Sequence, residues 1–595
     1  MLGEVLGMKD ALGMAICASV LLPLSVNRNA AAEFIDTQPD TWAAVDGLGR
    51  AAPNHDQVGG PRAGKSVGIF YFLWLGQHRT EGPYDITRIL ASQPDALGRP
   101  TTNPWGPEYH FHHWGEPLFG YYLGDDAWIL RKHAQMLSDA LVDVAVFDVS
   151  NQETYPKVYR KLCEVWMQVR RDGGRTPQIA FFAPFGDDRR VLSRLYDDLY
   201  KKGDYADLWF RWKGKPLILA RKESAPPEMQ ETFTFRPHGP DYFSGPTGPN
   251  QWQWLQIHPQ APYYNDTNEV EQVSVSVAQN ASGKRLCAFS EPNTYGRSWH
   301  DGIKDERPDA VLHGLNFAEQ WKRALELDPE FIFITGWNEW IAMRLPEFNG
   351  VREPVMFVDQ FTQEYSRDIE PMKGGHWDNY YYQMVSGIRR FKGVRPAPTA
   401  SGPTTIQIDG DFSDWAGVQP GFRDDRGDTM HRDHPGYDDA GRYVNKTGRN
   451  DFVLLKVAAD DHVVCFYART ASVITPSTDP NWMLLYINAD NDLATGWESY
   501  DFRVNRRLRG QTKSVLEKAG TNGVWTAIDE VPYRVSGSEL ELAVPRRILR
   551  PRDDSPLRLG FKWADNMQCD NDVMEFTVNG DTAPNARFQY VYAMK

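Results

Sequence analysis

The feature that most narrows what this chain can fold into is a set of short, almost continuously apolar runs. They are Val67–Trp74, Val144–Phe147, Ile179–Ala183 and Phe331–Ile334. A strand with one face in water alternates apolar and polar residues, whereas a strand apolar throughout is covered on both faces, as in a parallel sheet wrapped by helices. Segments with helical spacing lie between and beyond the runs: Asp126–Ala140, with Ile129, Leu130, Ala134 and Leu137 on one stripe, Tyr155–Arg171, Asp187–Lys201 and Gly314–Leu327. Ordered structure is expected to begin at Ser66. Pro216–Ala220, Glu231–Phe235, Trp252–Ile257 and Gln272–Ala278 read as further strands, and Trp377–Phe391 as a closing helix. Strands alternating with helices over roughly 330 residues predict a (β/α)8 TIM-like barrel.

The expected fold class is therefore α/β plus all-β, because the texture changes after a Pro-, Ala-, Ser- and Thr-rich tract at 393–405. Beyond it come short alternating runs, Phe452–Ala458, Val463–Ala468, Trp482–Ile487, Glu539–Val544 and Leu557–Trp563, separated by turn residues as in a β-sandwich. The predicted layout is a signal peptide at 1–32, a lead-in segment at 33–64, the barrel at 65–392, the linker at 393–405 and the sandwich at 406–595. Lys9 followed by the apolar stretch Ala11–Val26 and the small residues Ala30–Ala32 carries the export reading. It predicts a secreted or periplasmic protein that leaves the membrane once the signal is cleaved.

A buried barrel strand that ends in an acid delivers that acid to the C-terminal mouth, where barrel enzymes keep their catalytic groups. Two runs end this way. Phe331–Ile334 leads through Gly336 to Trp337-Asn338-Glu339-Trp340, and Val144–Phe147 ends in Asp148. Usual glycoside hydrolysis needs two carboxyl groups flanking the scissile bond, one protonated and one ionised, and no cofactor. Glu339 and Asp148 are the expected pair, with Glu291 and Asp187 as reserves on loops; a structural turn remains the other reading of Asp148. Indole rings suit sugar faces, so Trp74, His113, Trp114, Glu291, Trp337, Asn338 and Trp340 are the proposed substrate contacts. His110, His112 and His113 could bind sugar hydroxyls, hold a metal or pack on Trp114.

A formal net charge of -14, without a long basic run, argues against nucleic acid as a partner. Cys163, Cys287, Cys465 and Cys569 are widely spaced, so a zinc knuckle is not expected. Either Cys465 pairs with Cys569 or all four are free, buried thiols.

The Gly68–Phe72 start, the Asp204–Leu219 run and Trp337-Asn338-Glu339-Trp340 resemble the clan around glycoside hydrolase families 71 and 99. The resemblance covers about residues 65–392 and implies a (β/α)8 enzyme acting on α-glucans, α-mannosides or related glycans. In family 99 the motif continues to a second catalytic glutamate, and here Ala342 stands at that position. Either another acid, Asp148 or Glu291, takes the missing role, or the chain binds glycan without cleaving it. A glycosyltransferase-like member of the fold is a further alternative, which export disfavours. Ile408–Trp415 and Leu484–Trp497 resemble family 9-like carbohydrate-binding modules. That resemblance implies a structural calcium at Asp490 and Asp492, against the alternative of an Asx-rich turn without metal, and Trp482, Trp497 and Trp525 as rings to examine.

Overall fold

The computed structural model describes residues 34–76, 81–99, 104–239, 241–550 and 556–594. The predicted signal peptide lies outside the described residues. Among them, no helix is long and apolar enough to cross a membrane.

The apolar runs form a parallel sheet. Its strands are β1 (Ser66–Tyr71), β2 (Val144–Asp148), β3 (Gln178–Phe182), β4 (Lys215–Leu219), β5 (Thr234–Phe235), β6 (Val270–Ser276) and β7 (Phe331–Trp337), in the spatial order β5-β4-β3-β2-β1-β7-β6. Side chains alternate between two apolar compartments, because successive residues of a strand point to opposite faces. Phe70, Val144, Val146, Ala180, Phe182, Leu217, Leu219, Phe331 and Phe333 pack together on the concave face. Val67, Ile69, Tyr71, Ala145, Phe147, Ile179, Phe181, Ile332 and Ile334 face the helices. Gly68 is required where the interior is tightest: a Cβ there would lie 2.5 Å from the Phe331 ring. The main covering helices are α1 (Ala127–Asp139), α2 (Pro156–Arg171), α3 (Arg189–Leu195), α4 (Leu315–Leu327) and α5 (Asn379–Lys392).

One expected strand is not a strand. Trp252–Ile257 occupies the gap between β5 and β6 without a backbone ladder, although Trp252 N does donate to Pro237 O at 3.0 Å. Glutamine side chains take the place of ladder bonds. The Gln272 amide on β6 accepts from Gln253 N at 2.9 Å and donates to Gln253 O at 2.8 Å. Gln320 on α4 donates to Gln256 O at 3.0 Å, and Gln256 accepts from Ala261 N at 3.0 Å. The alternating Gln/Trp pattern that reads as a strand instead turns Trp252 and Trp254 into the interior, against Phe331 at 4.3 Å and Phe70 at 5.2 Å. Glu231 also departs from expectation. It lies in the short helix Pro227–Thr232, so β5 keeps only Thr234 and Phe235.

The lead-in segment is ordered well before Ser66. Trp42 is buried against Phe588 and Tyr590, and Ala43 exchanges backbone hydrogen bonds with Gln589 at 2.9 and 3.0 Å. A structural start at Ser66 therefore fails, because the segment's aromatic and backbone groups have partners at the far end of the sequence.

The ladders of the C-terminal sheet are antiparallel. Its strands are β8 (Phe452–Ala459), β9 (Val463–Thr470), β10 (Leu484–Asn488), β11 (Phe502–Arg509), β12 (Lys513–Ala519), β13 (Trp525–Ser536), β14 (Glu539–Pro545), β15 (Arg558–Asp565) and β16 (Asp581–Ala583). The order is β8-β9-β14-β13-β12-β11-β10-β15-β16. The long strand β13 pairs with β12 through its first half and β14 through its second, so the sheet turns back on itself. Phe466 on β9 then meets Phe561 on β15 at 5.9 Å, and Phe422 meets the same ring at 5.0 Å. Cys163, Cys287 and Cys465 are buried free thiols, and Cys569 is free and exposed. Neither cysteine expectation holds, since Cys465 and Cys569 are unpaired and Cys569 reaches solvent.

Replacing Gln272 by Ala strands the buried N–H and C=O of Gln253, at about 1–3 kcal/mol for each group left unpaired. The expected outcome is a lower urea midpoint, with Gln272→Glu, which keeps only the acceptor, falling between Ala and wild type.

Candidate functional site

The site is organised by the turn that ends β7. Asn338 has φ +56°, in the left-handed region that asparagine tolerates better than most residues. Its side-chain amide accepts from Phe72 N and donates to Phe72 O, both at 2.9 Å. That amide fills the pairing groups of the segment after β1 and fixes the direction in which Glu339 leaves the strand.

Glu339 enters a buried polar group. Its backbone N–H donates to Asp368 Oδ1 at 2.7 Å. Its carboxylate accepts from Gln360 Nε2 at 2.7 Å and from Arg367 Nη2 at 3.1 and 3.2 Å. Arg367 also reaches Asn280 Oδ1 at 3.1 Å and Asp359 Oδ1 at 3.3 Å, and lies over the rings of Trp254 and Phe289. Asp359, whose side chain is 46% exposed, is the member of the group nearest to solvent. Burial raises the Glu339 carboxyl to about 8, with Arg367 pulling the other way, while the same charges hold Arg367 protonated.

Asp148 ends β2 as expected and accepts from Ser150 N at 2.9 Å. Burial lifts it to about 6; the Ser150 bonds and Arg367 oppose the rise, and the charge of Asp359 adds to it. Tyr242 lies in the same field: burial raises its phenol, Arg367 opposes the rise, and Asp359 and Glu339 add to it. The arrangement thus holds two carboxyl groups in protonation states set apart by their surroundings, around one guanidinium that is always charged.

A second polar layer lies behind Glu339. Asp368 Oδ2 accepts from Trp114 Nε1 at 3.0 Å, and burial lifts this acid to about 7. Glu370 accepts from Tyr122 OH at 2.7 Å, His133 Nε2 at 2.9 Å and Trp340 Nε1 at 2.5 Å. Because Nε2 of His133 must carry the proton given to Glu370, its Nδ1 accepts from Tyr71 OH at 2.8 Å.

Most of the expected aromatic contacts belong to this supporting layer. Trp114 and Trp340 are fully buried and stack at 4.5 Å and 13°, and Trp337 is fully buried against His133 and Tyr381. His113 sits between Tyr121 and Tyr437 at 4.8 and 4.9 Å, and burial lowers its imidazole to about 3. Trp74 packs on Phe72 and Phe111. Asn338 spends its amide on Phe72. These six residues do not present a face to a sugar, because protein atoms already occupy it. Glu291 is a loop fastener, bound to Arg285 at 2.5 Å and Ala288 N at 2.8 Å, and Asp187 pairs with exposed Arg189. The histidines do not converge on a metal: His112 is bonded to Trp105 O and His110 O.

Ala342 lies in the strand Ile341–Leu345, within an apolar cluster containing Trp105, Phe289, Val355 and Phe357. A glutamate there would bury an uncompensated charge. In the C-terminal sheet region, Asp490 accepts from Asp492 N and Thr495 Oγ1, and Asp492 accepts from Ala494 N, a chain of Asx turns. Trp482 is buried, with its Nε1 on Thr475 O, while Trp497 and Trp525 stand edge to face at 6.0 Å.

Arg367, Asp359, Gln360, Asn280 and Tyr242 were not identified from the sequence. The one available signal was the close spacing of Arg367, Asp368 and Glu370 in a tract with no helical or strand period.

No family model matches the chain, and no curated protein matches it. Two solved structures of the GH99 endo-alpha-mannosidase from Bacteroides thetaiotaomicron, one in complex with BIS-TRIS-propane, align with it at 15% identity and a TM-score of 0.31. They cover 55% and 56% of this chain and 97% and 98% of their own. A likeness at that score carries no argument about the site.

Removing the guanidinium should expose what the buried pair requires. Read above about pH 8, where Glu339 is ionised, Arg367→Met removes the cation that stabilises that buried charge, and a loss of about 3–5 kcal/mol is expected. Adding Glu339→Gln to Arg367→Met should recover part of that loss, read as a denaturant midpoint in a double-mutant cycle.

Proposed function

We propose that this chain is a glycoside hydrolase acting on a polysaccharide or glycoconjugate, exported from the cell, with Glu339 as proton donor and Asp148 as the ionised partner. The carrying observation is the pair of buried carboxyl groups beyond β7 and β2, set by their surroundings to about 8 and about 6 around one arginine. Near neutral pH the first holds its proton and the second has lost it, which is the division of labour that glycosidic cleavage needs. The α-linkage preference rests on the resemblance of Trp337–Trp340 to families 71 and 99. Asp359, half exposed beside Arg367, marks the side from which a sugar would approach.

A non-catalytic glycan-binding protein is the second reading. The apolar packing around Ala342 favours it, because the second motif carboxylate of family 99 has no place here.

Digestion of a glycan panel by wild type and Glu339→Gln, with products read by mass spectrometry, separates the two readings. The hydrolase reading expects cleavage by wild type and a fall of about 10³-fold or more in the variant, with binding retained. Binding by both proteins with no cleavage by either supports the second reading. The pH dependence follows from the two groups. Turnover should rise through about pH 6 as Asp148 ionises and fall through about pH 8 as Glu339 loses its proton. A profile without the alkaline limb would remove Glu339 as the acid.

A further inference from the structure

Away from Glu339, a second group of buried acids lies where the C-terminal sheet meets α1. Asp424 and Asp428 belong to the loop Asp424-Asp425-Arg426-Gly427-Asp428, and Asp581 opens β16. One carboxylate oxygen from each of the three lies within 4.8 Å of the others, and all three side chains are buried. Close like charges in a dry interior repel strongly, so such a cluster needs a cation or neutralisation.

The hydrogen-bond pattern shows where the oxygens are free. Asp424 is 0% exposed, yet neither of its carboxylate oxygens has a hydrogen-bond partner. Asp428 accepts from Gln135 Nε2 at 2.8 Å through Oδ2, which leaves Oδ1 without a partner. Asp581 uses Oδ2 for Phe452 N at 2.7 Å. Asp451 gives Oδ2 to Gly427 N at 2.8 Å and has an unpartnered, buried Oδ1. The cations nearby make their hydrogen bonds elsewhere, and the buried Lys562 ammonium lies in the field of Asp424 and Asp581 without bonding either. Lys562 Nζ donates to Pro584 O, and Arg131 bonds Asp172 and Arg426 O.

We propose that Asp424, Asp428 and Asp581 form a calcium site, with Asp451 as a further oxygen donor. The donors are all hard oxygens, without histidine or cysteine, which excludes the softer transition-metal preferences. Calcium–oxygen distances of about 2.3–2.6 Å let two ligands across the ion stand up to about 4.6–5.2 Å apart, so three oxygens within 4.8 Å of one another can surround one ion. Magnesium keeps several of its waters, and a cluster whose side chains are all buried suits the more readily dehydrated ion. The ion would tie the 424–428 loop and β16 to α1, because Gln135 also donates to Asn585 Oδ1 at 2.7 Å, and Asn585 donates to Asp139 Oδ2 at 3.0 Å. This site is separate from the Asp490–Asp492 turn.

The test uses the full chain, stripped with a chelator and then titrated with CaCl2, MgCl2 or MnCl2. Bound metal is counted by mass spectrometry and the melting temperature is recorded. Calcium should be retained stoichiometrically and raise the melting temperature by about 2 °C or more at a hundredfold excess over Kd. Asp424→Asn should lose one equivalent of calcium and the calcium-dependent shift, whereas Asp490→Asn should keep both. Absence of bound calcium in wild type, or a response to magnesium or manganese alone, overturns the proposal. So does an Asp424→Asn protein that binds as wild type, or one that melts above calcium-loaded wild type, the behaviour of a cluster relieved by neutral acids. If Asp424→Asn does not fold, Asp428→Asn and the wild-type stoichiometry give the same decision.

Discussion

A carboxylate and a guanidinium can share a dry interior only when each has further partners, and the region around Glu339 is built to that constraint. Arg367 satisfies Glu339 in two contacts and also holds Asn280 and Asp359. Gln360 completes the Glu339 carboxylate and accepts from Arg367 N at 2.9 Å. Behind it, Asp368 and Glu370 convert the indole N–H groups of Trp114 and Trp340 into hydrogen bonds. The tryptophans are therefore part of the wall that keeps the Glu339 region desolvated, and desolvation is what raises both Glu339 and Asp148 above the ordinary carboxyl range.

The same economy appears along the parallel sheet. Side-chain amides take over backbone pairing at two places, Asn338 against Phe72 and Gln272 against Gln253. Both occur where the chain must leave regular strand geometry, one to aim Glu339 and the other to admit Trp252 and Trp254 into the interior. An amide offers one donor and one acceptor in nearly the spacing of a peptide group, so the backbone groups of Phe72 and Gln253 are satisfied there without a strand ladder.

The parts of this architecture legible in the sequence are those with a strong period. The continuous apolar runs placed β1, β2, β3 and β7, and helical spacing placed α1, α2, α4 and α5 within a residue or two. The Gln/Trp segment misled because alternation reports which side chains share a face, and says nothing of whether the backbone bonds go to a neighbouring strand. Glu339 and Asp148 were visible because each follows a buried strand. Arg367 was not, since its loop has no period and its role comes from a tertiary contact with a residue 28 positions earlier. The tryptophans were visible as residues but misplaced in depth. An indole beside an acid can line a groove or seal a core, and sequence does not distinguish the two.

The mutual hydrogen bonds of Ala43 with Gln589, and the burial of Trp42 between Phe588 and Tyr590, bear on how the molecule is made. A ribosome releases residue 43 long before residue 589 exists. The early segment must therefore wait, with an indole and two peptide groups unfulfilled, while the rest of the polypeptide is synthesised. The stretch at Phe588–Tyr590 completes the one at Trp42–Ala43, so the two are fastened to each other only after the intervening polypeptide has been made. A product cut short before Phe588 would leave Trp42 and Ala43 without their partners as well.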